Sequence, residues 1–154
     1  MNIFVVDEDP EVAARQLCDK HVVKMILETA QMLCTVAANE GYDTPYRKTH
    51  AKHPCTLWAA KSVANWTWLL RHGMAMCAEY TRRYGRTHKS EEVIIWAAGL
   101  RMRFTETVLT PFAQAMPPQY KNECAVTAYR AYYHGEKAHF ATWKSEVPQW
   151  WTTA

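Results

Sequence analysis

Glycine is scarce in this sequence. Only 5 of the 154 residues are glycine, against 7 Trp and 8 Tyr. This balance favours long helices packed through large rings over a fold of short strands and tight turns. No stretch approaches the roughly 18 uninterrupted apolar residues of a membrane helix. The N-terminus turns acidic at Asp7 with no basic segment before it, so we expect neither a membrane span nor a signal peptide.

Disulfide patterning is also missing. The 5 cysteines are odd in number, widely spaced and without a CxxC pair, whereas secreted disulfide scaffolds carry denser, even-numbered cysteines. We therefore expect free thiols in a reducing cytoplasm. The net charge of +3 is too small to indicate a nucleic-acid partner by itself, because the distribution of charge matters more than its sum.

Proline and glycine positions predict an all-α fold in a single compact domain over residues 1–154, the size of one typical domain. The apolar run 2–6 predicts a strand or a packed N-terminal arm. Asp9 and Pro10 then provide a helix N-cap and first position. We expect three to four helices and an aromatic-rich C-terminal tail, with helices at about 10–38, 54–84, 90–104 and 122–143, an irregular crossing at 110–120, and the tail at 148–151.

The first predicted helix carries a polar stripe within an otherwise apolar segment. His21, Lys24, Glu28 and Gln31 are spaced at i, i+3, i+7 and i+10, which places them on one face, with Lys20 off it. The stripe is either the solvent face of an amphipathic helix or the lining of a cleft. In a cleft, these side chains are typical of an acid–base and anion-binding site. Glu28 and His21 are then the candidate catalytic residues, and Lys24 and Gln31 contact substrate.

Two basic segments, residues 46–53 and 82–89, are interleaved with Tyr and His. This pattern is typical of phosphate binding with base stacking, although cations at a helix C-terminus also interact favourably with the helix dipole. If the first two helices pack antiparallel, the segments lie at opposite ends of the second one. The candidate substrate-binding residues in them are Arg47, His50, Lys52, His53, Arg82, Arg83, Arg86 and Lys89.

Metal ligands are present in one short run. His50, His53 and Cys55 offer the nitrogen and sulfur ligands that suit zinc, but no second ligand cluster accompanies them. We therefore expect no metal and no other cofactor, with a zinc-assisted hydrolase as an alternative. His53 precedes Pro54, so we expect its side chain to cap the second helix or to face the cleft.

Residues 1–90 resemble the small all-α pyrimidine-dimer DNA glycosylases, the phage-type endonuclease V family. Asp19-Lys20-His21 matches the family's Asp-x-His, and Glu28 stands seven residues after the histidine, where the family has its catalytic glutamate. A His-Pro pair, here at 53–54, then opens a long helix with a basic, glycine-containing end. The aromatic tail at 148–151 is also similar. Segment 18–25 is more closely similar to small phage proteins of no established activity.

The resemblance implies an enzyme that attacks the sugar C1′ with its N-terminal amine, while the glutamate supports the imine and a later elimination. The family frees this amine by removing Met before a small residue, whereas here Asn2 follows, and Met1 is usually retained beside Asn. Leu27 and Gln31 stand where the family has arginines that grip DNA. With Met1 retained, Glu28 would instead activate water directly, as in a monofunctional glycosylase.

We therefore expect an enzyme that acts on DNA, with glycosylase-type chemistry on a damaged or modified base. A non-catalytic module that binds nucleic acid or a host protein is one alternative. An enzyme acting on free nucleotides is another, and its binding would depend weakly on salt because few counterions are released. The oligomeric state is left open.

Overall fold

The computed structural model describes residues 1–152 and is all-α over this range, as predicted. Residues 1–152 form seven α-helices rather than three or four. The N-terminal arm, residues 2–6, forms no strand and is buried. The helices are α1 Pro10–Gln16, α2 Asp19–Asn39, α3 Pro54–Lys61, α4 Val63–Tyr84, α5 Glu91–Ala98, α6 Ala125–Tyr132 and α7 Gln149–Thr152, with a 3₁₀ turn at Pro118–Tyr120 and a π-helix at Tyr133–Lys137.

The predicted helix termini are confirmed where the sequence carries local capping signals. Asp9 accepts the backbone N–H groups of Glu11 and Val12 at 2.8 and 3.2 Å, with Pro10 in the first position of α1. Gly85 follows α4 with φ of 69°, a left-handed conformation that glycine adopts at little cost.

The first predicted helix breaks at Leu17 and Cys18, which both have extended backbones. The break leaves carbonyl groups without helical partners. Arg83 of α4 supplies the missing donors: its guanidinium donates to the carbonyl oxygens of Leu17 at 2.8 Å and Arg15 at 2.9 Å. A tertiary contact therefore stabilises a break that contains no proline or glycine.

The second predicted helix breaks at Ser62, whose backbone is extended (φ −149°, ψ 161°). Its hydroxyl accepts the N–H of Asn65 at 3.0 Å and so caps α4. The N–H of Val63 donates to the carbonyl of Glu106 at 3.0 Å. The long connection after α5 thus provides one partner for this break.

Helix α2 packs against α3, α4 and α5, while α1 packs against α4. The aromatic tail packs against the junction of α1 and α2. Trp143 Nε1 donates to the carbonyl of Gln16, and Trp150 Nε1 donates to the Gln16 side chain, both at 2.9 Å. The Trp151 ring stacks on His134 with centroids 4.6 Å apart. The last tryptophans therefore pack onto the core cluster.

All five cysteines are free, as expected from their odd number and spacing. Within residues 1–152, no helix combines the length and the apolar character that a membrane span requires.

Candidate active site

A cavity of about 450 Å³ lies between the N-terminal arm, the first half of α2 and the segment around the π-helix. Helix α2 lines it with His21, Lys24 and Glu28 of the predicted stripe. His21 and Glu28 are only 5% and 8% exposed, whereas Lys24 is exposed. This part of the stripe therefore lines a cleft rather than forming an ordinary solvent face. Lys20, placed off the stripe by the spacing argument, also lines the cavity.

The N-terminal amine lies against the candidate catalytic carboxylate. The nitrogen of Met1 is 3.1 Å from Glu28 Oε1, and Lys24 Nζ is 4.0 Å from Oε2. Glu28 Oε1 is buried and accepts no well-aligned hydrogen bond within residues 1–152, so its close partner is the ammonium group. An amine and a carboxylate in contact inside a cavity can exchange a proton.

The arm directs this amine through Asn2. The Asn2 side chain accepts the N–H groups of Ile3 at 2.7 Å and Phe4 at 3.2 Å, and it donates to the carbonyl of Ala115 at 2.7 Å. Phe4 has a φ of 43°, which is rare for a residue with a side chain. Such strain persists only where the surroundings impose it, and here the anchored Asn2 holds Met1 over Glu28.

His21 is held as a neutral imidazole. Its Nδ1 is 2.5 Å from the Tyr133 hydroxyl, and its ring stacks on Phe4 with centroids 4.0 Å apart. Burial, together with the smaller effects of the Lys137 and Lys24 ammonium groups, lowers the pKa of His21 to about 3. At neutral pH this side chain thus orients the arm through Phe4 and is unsuited to supply a proton.

His53 caps α3, as predicted: its Nδ1 accepts the N–H of Cys55 at 3.1 Å. Burial lowers the pKa of His53, and the positive charge of the Met1 ammonium lowers it further. Among residues 1–152 no group of three or more His, Cys, Asp or Glu side chains is arranged to hold a metal. His50, His53 and Cys55 therefore do not assemble the ligand set of the zinc alternative.

Both basic segments contact α2, and the first reaches Ser90, the residue that follows the second. The hydroxyls of Tyr46 and Ser90 are 2.8 Å apart, and His88 Nε2 is 2.9 Å from the carbonyl oxygen of Val23. The segments flank two helices rather than the one that was expected, and they approach each other through Tyr46. Gln31 does not line the Glu28 cavity. It lines a second cavity of about 470 Å³ beside the first basic segment. This second cavity is also lined by Leu27, Tyr46 and Arg47.

The predicted phosphate-binding side chains differ in whether they are exposed to solvent. Arg83 is not available to a phosphate, because its side chain is 1% exposed and pairs with Glu79 at 2.7 Å and Asp19 at 3.0 Å. Arg82 is 51% exposed and pairs with Glu79 at 2.7 Å. The exposed members of the predicted set are Arg47, His50, Lys52, Arg82, Arg86 and Lys89.

Sequence reasoning missed several residues that line the cavity. Lys20 stands four residues before Lys24, so helical spacing alone could have placed it on the same face. Tyr132, Lys137 and Phe140 also line the cavity. No local signal indicated these three, because the π-helix that positions them breaks the α-helical period.

A family model described as pyrimidine dimer DNA glycosylase matches residues 1–92. The match includes the arm, the Glu28 helix and both basic segments. No curated protein and no solved structure matches the chain.

Proposed function

Since the chain belongs to the pyrimidine dimer DNA glycosylase family, we propose that it removes a damaged or modified base from DNA, with pyrimidine dimers as the first substrate to test. The observation that supports this most directly is the 3.1 Å contact between the Met1 amine and Glu28 Oε1. A nucleophile beside a general base inside a cavity is what covalent catalysis requires.

In the proposed reaction Glu28 takes one proton from the Met1 ammonium and so frees the nitrogen lone pair. The nitrogen bonds to the sugar C1′ as the bond from C1′ to the base breaks. The base leaves with the electron pair of the broken bond. A second proton then passes from the nitrogen to the base through solvent. Glu28 then gives its proton to O4′ as the C1′–O4′ bond opens, which leaves a protonated imine at C1′. Water hydrolyses this imine, or loss of a C2′ proton eliminates the 3′ phosphate.

The proposed nucleophile is the amine of Met1 itself. The Met1 side chain is only 2% exposed and packs against the core. Removal of Met1 would open a cavity there and would leave the amine on Asn2, about 3.8 Å further along the chain. Retention of methionine, expected from Asn2, thus fits the position of the amine at Glu28.

DNA would lie across the side of the molecule where the Glu28 cavity opens beside the two basic segments that contact α2. Lys24 lines the Glu28 cavity, and Arg47 lines the second cavity. Lys52, Arg86 and Lys89 extend the set of exposed cations. A duplex in this position would contact several of these cations, so binding should weaken steeply with salt.

The test combines intact mass with borohydride trapping on a duplex that carries a thymine dimer. We expect Met1 to be present in the free protein and a covalent protein–DNA adduct to form. Glu28→Gln should lower base release by about 10²–10⁴-fold and leave duplex binding unchanged. Glu40→Gln is the matched control, because Glu40 is exposed at the C-terminal end of the same helix.

A second control moves the nucleophile and keeps the carboxylate. One glycine added before Met1 displaces the amine by about 3.8 Å and should abolish the adduct. Base release without any adduct would refute amine catalysis and favour water activated by Glu28. If DNA binds, no base is released from dimer or other modified DNA, and Glu28→Gln changes nothing, the protein is a binding module and the proposal is wrong.

A further inference from the structure

One wall of the cavity is built from residues that follow the matched segment 1–92, namely Tyr132, Lys137 and Phe140. Helix α6 ends at Tyr132, and the chain continues as the π-helix Tyr133–Lys137. The backbone bonds of a π-helix join residues i and i+5, which brings Lys137 one turn along over Tyr132. Its Nζ lies 4.7 Å from the centroid of the Tyr132 ring. The π-helix therefore aims a lysine at the cavity.

A second lysine approaches from α2 and shares a ring with the first. Lys20 Nζ lies 4.9 Å from the centroid of Phe140, and Lys137 Nζ lies 5.9 Å from the same centroid. Cation–π contacts hold ammonium groups in place without neutralising their charge. Both charges therefore remain available to an anion.

The cavity has more positive than negative charge. Within residues 1–152, neither Lys20 nor Lys137 has a carboxylate within 4.0 Å. Glu28 is the carboxylate that lines the cavity, and it already pairs with the Met1 ammonium and contacts Lys24. Two unpaired ammonium groups beside a neutralised carboxylate form a site that favours an anion.

We infer that Lys20 and Lys137, with the Phe140 ring between them, bind the phosphodiester groups on either side of the reacting sugar. This inference rests on the proposed function, because that function places the sugar at the Met1 amine. Lysine binds phosphate as a point charge, and each phosphate contact releases counterions. The wall outside the matched segment thus positions the target nucleotide, in addition to the general DNA contacts of the basic segments.

The experiment measures the dissociation constant for a duplex with a tetrahydrofuran abasic analogue, between 50 and about 200 mM salt. The wild type is compared with Lys20→Met, Lys137→Met and the double variant. Each single change should reduce the slope of log Kd against log salt by about 1, and the double change by about 2. Lys61→Met, at an exposed lysine ending α3, should keep the wild-type slope. Thermal unfolding checks that each variant is folded.

Methylphosphonates placed singly on either side of the analogue locate the contact. Neutralising a flanking phosphate should weaken binding by the wild type. The variant that lacks the lysine contacting that phosphate, Lys20→Met or Lys137→Met, should bind the modified and unmodified duplexes equally well. Unchanged slopes, or variants that still respond to every flanking methylphosphonate, would overturn the inference even if the borohydride adduct forms. If the lysine effects occur but no adduct forms on aldehydic abasic DNA, the phosphate site stands and the amine mechanism fails.

Discussion

Two buried neutral histidines predict a fold that acid destabilises. His21 is 5% exposed and His72 is fully buried. Burial lowers the pKa of His21 to about 3. It lowers the pKa of His72 to about 4, against the opposing effect of the hydrogen bond that the His72 ring donates to the Pro10 carbonyl. An unfolded imidazole takes up its proton near pH 6.5. Below about pH 6.5 the unfolded chain therefore binds more protons than the folded chain. The stability that the two neutral histidines confer is present above about pH 6.5 and is lost as the pH falls toward their folded pKa values.

The size of the effect follows from these pKa values. Between pH 7.5 and 5.0, each histidine should lower the free energy of unfolding by about 2 kcal/mol, since one pKa unit corresponds to about 1.36 kcal/mol. The two together should remove about 4 kcal/mol. Carboxylates contribute little in this range, because their unfolded pKa values lie near 4.

Urea unfolding at several pH values between 7.5 and 5.0 measures this loss directly. His21→Gln and His72→Gln should each reduce the pH-dependent loss by about 2 kcal/mol, whatever their effect on stability at pH 7.5. A wild-type free energy of unfolding that stays constant over this range would refute the burial argument for both residues. It would also reopen an acid–base role for His21 in the active site.

Two further predictions concern buried and exposed members of the same residue type. Arg83→Met should lower the free energy of unfolding by about 3–5 kcal/mol. Buried Glu79 would keep only the half-exposed Arg82 as an ion-pair partner, and Asp19 would lose its ion pair with Arg83. Arg82→Met, at a half-exposed side chain on the same Glu79, should cost less than about 1 kcal/mol; equal losses in urea unfolding would contradict this. Cys124 is exposed, and a hydrogen bond from the Thr127 side chain lowers its pKa. Only this one of the five thiols should react quickly with a disulfide reagent in the folded protein, and a second fast thiol would show that another cysteine is accessible.

Capping signals in the sequence predicted three helix ends correctly, but the ends expected at about 104 and 143 were wrong, because α5 ends at Ala98 and α6 at Tyr132. The caps at Asp9, His53 and Gly85 depend on side chains or backbone angles within a few residues, so the sequence alone indicates them. The break at Cys18 depends on Arg83, which lies 65 residues later in the chain. Spacing and propensity contain no information about such a distant hydrogen-bond donor, and therefore one long helix was expected where there are two.

The same division applies to the candidate site. The sequence by itself determined which groups are available: helical spacing placed His21, Lys24 and Glu28 on one face of α2, because that geometry depends only on the helix. The tertiary structure alone decided their surroundings. Folding of the arm brings the Met1 amine to Glu28, and the π-helix brings Lys137 across the cavity. These contacts join distant parts of the chain, and burial, which makes His21 neutral, exists only after those parts have packed.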